Sequence, residues 1–194
     1  MRFLLISATA LAMGSSISLA TGMATPPSRL PALGTSVGSP SSAIDDPTIV
    51  AIFDWANGAD IETGGIGAAR AHDKDVRALG RQLVRDHRGV QKQGRALAKK
   101  LGVKVPHLAN KDNPLYEQHV AALKALRHAK KGADFDRAFL QHEVDYHKAV
   151  IDAVTNQFLP AIKNAELKDF VTKVAPAFKA HQDAAQSLLD KMKS

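Results

Sequence analysis

The chain has 194 residues, enough for one well-cored domain and few for two. It contains no cysteine, which excludes disulfides, thiolate metal sites, iron–sulfur clusters and haem attached through C-x-x-C-H. Lys and Arg number 26 against 19 Asp and Glu, a net charge of +7 that favours anionic surroundings, while a 5% aromatic content and apolar surface carried mostly by Ala and Leu favour helices.

Residues 1–24 read as a signal peptide. Arg2 gives the positive start, Leu4 to Ala12 the short apolar core, and Ser18-Leu19-Ala20 or Gly22-Met23-Ala24 the small residues at a cleavage site. The apolar run is interrupted at Gly14, Ser15 and Ser16, short of the roughly 20 residues that span a bilayer, so cleavage rather than anchoring is expected. The expected location is periplasmic or secreted. Residues 25–46, rich in Pro, Ser and Gly, read as a disordered linker, and residues 47–194 as the folded domain.

The first helix is expected to start at Asp45 or Asp46 with Pro47 in its first turn, and to run to about Arg70. Ile52, Trp55, Ala59, Glu62, Ile66 and Ala69 keep a three-and-four rhythm that puts Glu62 on the inward stripe. Gly58, Gly64, Gly65 and Gly67 either weaken this helix or let a neighbour approach closely. The second helix, from cap Asp73 to Gly102, has the clearest period, with Val76, Gly80, Leu83, His87, Val90, Gly94, Leu97 and Leu101 on one seam. Arg77, Arg81, Arg85, Arg88, Lys92, Arg95 and Lys99 crowd its other faces. A short helix is expected over Leu115 to His128. A third long helix from Asp134 to about Phe158 carries Leu140, Val144, His147, Ile151, Val154 and Phe158 on its seam. A fourth, from about Asn164, carries Leu167, Val171, Val174, Phe178, His181, Ala185, Leu188 and Met192, with Pro176 expected to kink it.

This pattern predicts an all-α fold: an up-down-up-down four-helix bundle with an extra short helix before the third long helix. Counting along the helices puts Glu62, His87, His147 and His181 near one level, to within one or two turns. One carboxylate and three imidazoles make a workable shell for a divalent transition metal ion. Glu143, four residues before His147, is a possible second carboxylate, and Asp86 is placed to orient an imidazole or to pair at the surface.

The segments R-D-H (85–87), L-A-K-K-L-G-V-K-V-P (97–106), F-D-R-A-F (135–139) and A-P-A-F-K-A-H (175–181) resemble a family of exported bacterial proteins, the domain of unknown function 4142, whose members are often labelled membrane or outer-membrane proteins. The resemblance covers about Pro47 to Leu189 and implies a ferritin-like four-helix bundle with Glu62, His87, His147 and His181 as its inward polar residues; it implies no established activity. True di-iron bundles use Glu-x-x-His, and this chain has none, which argues against a ferroxidase. The leading expectation is a metal-holding protein in metal handling or envelope stress. The alternatives are an interaction module using basic faces on anionic envelope components, and an oxidase or peroxide-handling metalloenzyme. No phosphate loop, dinucleotide fingerprint or nucleic-acid motif is present, so neither nucleotide nor nucleic acid is expected, and non-covalent haem between His147 and His181 is disfavoured.

Overall fold

The computed structural model describes residues 44–110, 113 and 115–192; the expected signal peptide and residues 25–43 of the linker lie outside them. The described residues form helices and loops. Helix α1 (Asp46–Arg70) starts where the Asp45 carboxylate accepts the Thr48 amide at 2.9 Å, with Pro47 in a turn that needs no donor. Helix α2 (Lys74–Lys100) is capped by Asp73, which accepts from Asp75 and Val76, and it ends before Gly102 at φ 66°, the left-handed stop that glycine supplies without strain.

Helix α3 (Tyr116–His128) is the short one, and α4 (Ala133–Ala153) follows it closely. α4 passes into a wide turn, Val154–Phe158, where the Leu159 amide reaches back five residues to the Val154 carbonyl. Pro160, in the closing turn Leu159–Ala161, has no amide to continue the four-residue ladder, and a wider turn takes up the mismatch. Helix α5 (Ala165–Lys191) starts at Asn164 and runs through Pro176 without interruption. Pro176 and Thr172, the residue whose carbonyl Pro176 cannot serve, are both on the exposed face, where water can meet that carbonyl.

Contacts between helices fix their directions. Gly64 lies against Leu83 and Gly80 against Ala68, so α2 runs antiparallel to α1. The Tyr146 hydroxyl donates to the Ala56 carbonyl and Gly67 lies under Phe139, so α4 is also antiparallel to α1. α5 is antiparallel to both α2 and α4, with Lys100 paired to Glu166, His181 to Asp86, and Arg137 donating to the Met192 carbonyl. The order is therefore up, down, down, up, which corrects the expected up-down-up-down arrangement. The reason is α3: it runs beside α1, with Trp55 near Tyr116, Glu62 near His119 and Arg70 donating to the Leu126 and Ala129 carbonyls. It carries the chain back to the level from which it left α1, so α4 must descend.

Two carboxylates tie the halves together at opposite ends. Asp46 at the start of α1 accepts the consecutive amides of Lys163 and Asn164, and the buried Asp136 of α4 accepts those of His72 and Asp73 in the α1–α2 link, all at 2.8–2.9 Å. The core has two apolar clusters. One gathers Phe53, Val90, Phe158 and Phe178 near the start of α1; the other gathers Leu83, Leu126, Phe135 and Phe139 near its end. A polar layer lies between them.

The glycines resolve into two roles. A Cβ on Gly80 would stand 2.5 Å from the Ala68 amide nitrogen and 2.7 Å from the Gly64 carbonyl oxygen, and one on Gly67 would enter the Phe139 ring, so these positions set how closely helices approach; Gly65 and Gly89 have open space around them. Gly80→Ala must push backbone apart and is expected to destabilise by about 1–3 kcal/mol despite its better helix propensity. Gly89→Ala, with the same chemistry and no clash, should stabilise by up to about 1 kcal/mol. Urea denaturation of the two variants beside the parent checks the contrast, and equal effects would refute it.

Candidate metal centre

Four helices send polar side chains into the layer between the two apolar clusters: Asn57, Asp60 and Thr63 from α1, His87 from α2, Glu143 and His147 from α4, and His181 from α5. All are buried. A ring nitrogen from each of His87, His147 and His181 lies within 4.8 Å of the other two, and Asp60, Glu143 and His147 form a second such trio. The imidazole centroids stand 5.1–5.5 Å apart, and Phe178 stacks on His87 at 5.7 Å and 10°.

Hydrogen bonds fix which nitrogen of each ring carries its proton. The Asn57 amide nitrogen donates to the Phe53 carbonyl, which turns its oxygen toward His87, so His87 Nδ1 donates to it at 2.9 Å. His147 Nδ1 donates to the Glu143 carbonyl at 2.9 Å, and His181 Nε2 to the Asp86 carboxylate at 3.0 Å. Each ring thus has one nitrogen tied outward to an oxygen. The inward nitrogens, His87 Nε2, His147 Nε2 and His181 Nδ1, have no hydrogen-bond partner, and neither do the two oxygens of Asp60.

Asp60 Oδ2 lies 3.3 Å from both His87 Nε2 and His147 Nε2. These are lone pairs facing lone pairs. A shared proton, a water in the adjoining void or a cation would satisfy such an arrangement, because an unpaired buried acceptor is costly. Ligands held 2.0–2.1 Å from a common tetrahedral ion stand about 3.3 Å apart, which the two Asp60–imidazole distances match; the three ring nitrogens lie within 4.8 Å of one another. The void beside Asn57, Asp60, His87 and His147 is about 10 Å³, room for about one water-sized occupant and far too small for a porphyrin.

Burial shapes the titration. It pushes the Asp60 carboxyl up to about 8 and the Glu143 carboxyl well above its usual range, with Asp60 adding to the second. It pulls His147 down to about 3 and His87 well below the ordinary imidazole value, and the other imidazoles add to both. At neutral pH the two rings are therefore neutral, the form that binds metal. Tyr146, packed against His147, is raised by burial and by the two carboxyls.

Of the expected residues, His87, His147, His181 and Glu143 meet in this layer and Asp86 orients His181 from behind. Glu62 does not join them, which corrects its expected place among the metal ligands: it is half exposed, 3.1 Å from His119 Nε2 and 3.6 Å from an Arg127 guanidinium nitrogen on the α3 side. Its inward counterpart is Asp60, two residues or about 200° away round the helix. Asn57 and Asp60 escaped the sequence reading because α1 is apolar on nearly every side and its composition fixes no phase. A signal was present in the spacing Phe53, Asn57, Asp60, Gly64, Gly67. His119, on the short helix, is buried against Trp55.

The fold and the layer define a class: an all-α helical bundle with a buried centre of three histidines and two carboxyls. The chain belongs to the family described as Domain of unknown function (DUF4142), which matches residues 33–188. No curated protein matches it. Among solved structures it is similar to CopM in the Cu(II)-bound form, with 15% identity, a TM-score of 0.59, and coverage of 76% of this chain and 98% of that one, a likeness of fold.

The metal-free protein should betray Asp60 by its pH dependence. A carboxyl at 3.8 in the unfolded chain and about 8 in the fold keeps an extra proton in the folded state, so stability is lost as pH rises toward 8. The depressed histidines act oppositely, through unfolded-state protonation below about 6.5, and are silent above it. Between pH about 6.5 and 8, chelator-treated protein should lose stability with rising pH, and Asp60→Asn should flatten the slope by up to about 1.4 kcal/mol per pH unit. Urea midpoints at several pH values measure it; parallel slopes would mean that Asp60 is not the group responsible.

Proposed function

We propose that this protein binds one divalent transition-metal ion through His87 Nε2, His147 Nε2, His181 Nδ1 and the Asp60 carboxylate, and that it serves metal handling in the envelope of an exporting cell. The observation that carries this reading is the convergence of three inward ring nitrogens without a hydrogen-bond partner, on rings each held from behind by an oxygen, beside an unpartnered buried carboxyl. Outward hydrogen bonds of this kind orient and strengthen imidazole ligands. Glu143, whose carboxyl is pushed well above its usual range by burial and by the neighbouring Asp60, stays protonated beside the site and adds no charge to it.

The donor set of imidazole and carboxylate without sulfur suits copper(II) and zinc, and the general affinity order puts copper ahead. The similarity to a protein solved in its Cu(II)-bound form supports copper as the first ion to try. The crossover through α3 supports assigning the bundle to the ferritin-like class, in which one long connection replaces a short hairpin. A closed set of four protein ligands in a void of about 10 Å³ favours holding over turnover, since a catalytic site keeps a position open.

Calorimetric titration of the mature protein with Cu(II) and Zn(II) tests the reading. One equivalent should bind, with about one proton released at pH 7 as Asp60 ionises, seen by comparing buffers of different ionisation enthalpy. His147→Ala with His181→Ala should abolish stoichiometric binding. Asn57→Leu, which supplies no ligand atom but removes the hydrogen bonds to His87 Nδ1 and the Phe53 carbonyl, should weaken it about 10–100-fold. Equal trace binding in parent and double variant would overturn the proposal.

A further inference from the structure

We infer that the outer ridge of α2 and the apolar cleft at its C-terminal end form one docking surface for an anionic lipid membrane. Arg81, Arg85, Arg88, Lys92, Arg95 and Lys99 fall within an arc of about 80° and along about 27 Å of the helix, opposite the buried seam. Arg95 is held by the Asp54 carboxylate at 2.6 and 2.9 Å. The other five are exposed and, among the described residues, make neither hydrogen bond nor ion pair.

A solvated helix face is ordinarily laced with acids three or four residues from its bases, because like charges at that spacing repel. α2 has only Asp75 and Asp86, one beside Lys74 and the other committed to His181. Five of the six cations in the row are thus uncompensated by the fold itself, Arg95 alone being paired, with Asp54 of α1.

The second observation is independent of charge. Where the ridge ends, α1, α2, α5 and the loop after α2 enclose a cleft of about 370 Å³ walled by Val50, Phe53, Val103, Phe170 and Val171, with Arg95 and Lys99 on its rim. That volume and lining are those of a site for a small apolar group. Val105 at its mouth is 46% exposed, one of two large hydrophobics so exposed among the described residues.

A polyanionic polymer would use the ridge and leave the cleft unexplained; a neutral apolar ligand would fill the cleft and leave the ridge unexplained. An anionic phospholipid surface uses both, with phosphates along the ridge and one acyl chain or interfacial methylenes in the cleft. The inference is separate from the metal site, since no residue of the ridge or of the cleft rim is one of its ligands.

Co-sedimentation with vesicles of phosphatidylglycerol and phosphatidylcholine in equal parts, against pure phosphatidylcholine, tests it at about 0.1 M salt. The protein should bind the anionic vesicles alone and be released by high salt. Replacing Arg81, Arg85 and Arg88 together by Gln should weaken binding roughly a hundredfold, from the attraction each basic residue contributes near such a surface. The same charge removed elsewhere, as Lys130→Gln, Lys168→Gln and Lys173→Gln, should change it little. Val105→Asp, an exposed position that leaves the core intact, should weaken binding and leave helix content unchanged. The inference is overturned by absent binding of the parent protein, by equal losses in the two triple variants, by an unchanged Val105→Asp protein, or by duplex DNA binding as tightly as the vesicles at the same salt.

Discussion

Everything in the middle of this bundle depends on one electrostatic constraint: acceptors that face acceptors inside an apolar core. Asp60 stands against two imidazole nitrogens whose protons are committed elsewhere, and the surrounding helices leave water almost no room. The outward bonds from Asn57, the Glu143 carbonyl and Asp86 are what create the constraint, since without them each ring could turn a donor inward. Such a layer costs stability, and buried groups with shifted titration of this kind cluster at functional sites.

The rest of the structure holds that layer level. Gly64, Gly67 and Gly80 let α1 meet α2 and α4 closely, while Asp46 and Asp136 each grip two consecutive amides of a link in the other half of the bundle. These carboxylates act at opposite ends, so neither half can slide along the other without breaking two charge-assisted bonds. Above and below, Phe53, Phe139 and Phe178 close the layer off.

The seams of α2, α4 and α5 were legible because basic or acidic residues mark the outer faces and leave a clean apolar stripe; His87, His147 and His181 stand out against that contrast. α1 was not legible in phase, since its Ala, Gly and Ile positions surround the helix, and the stripe through Glu62 is as regular as the true one through Asp60. The direction of α4 has no local signature, because it is set by where the 13-residue α3 packs as the return path along α1. The three histidines nevertheless share one level. His87 is the middle residue of α2, so reversing the direction of its neighbour leaves it at the same height. The hydrogen bonds at Asp46 and Asp136 join residues more than 60 positions apart and leave no local signature.

The enclosure of the polar layer also has a kinetic consequence. Every side chain lining its void is buried, the aromatic lids included, so no solute reaches Asp60 through the average structure. Passage in or out must wait for a local opening in which Phe53 or Phe178 swings aside or a helix segment loosens. Exchange is then timed by the breathing of the bundle and not by the strength of any bond at its centre: an occupant held only modestly tightly at equilibrium would still leave slowly.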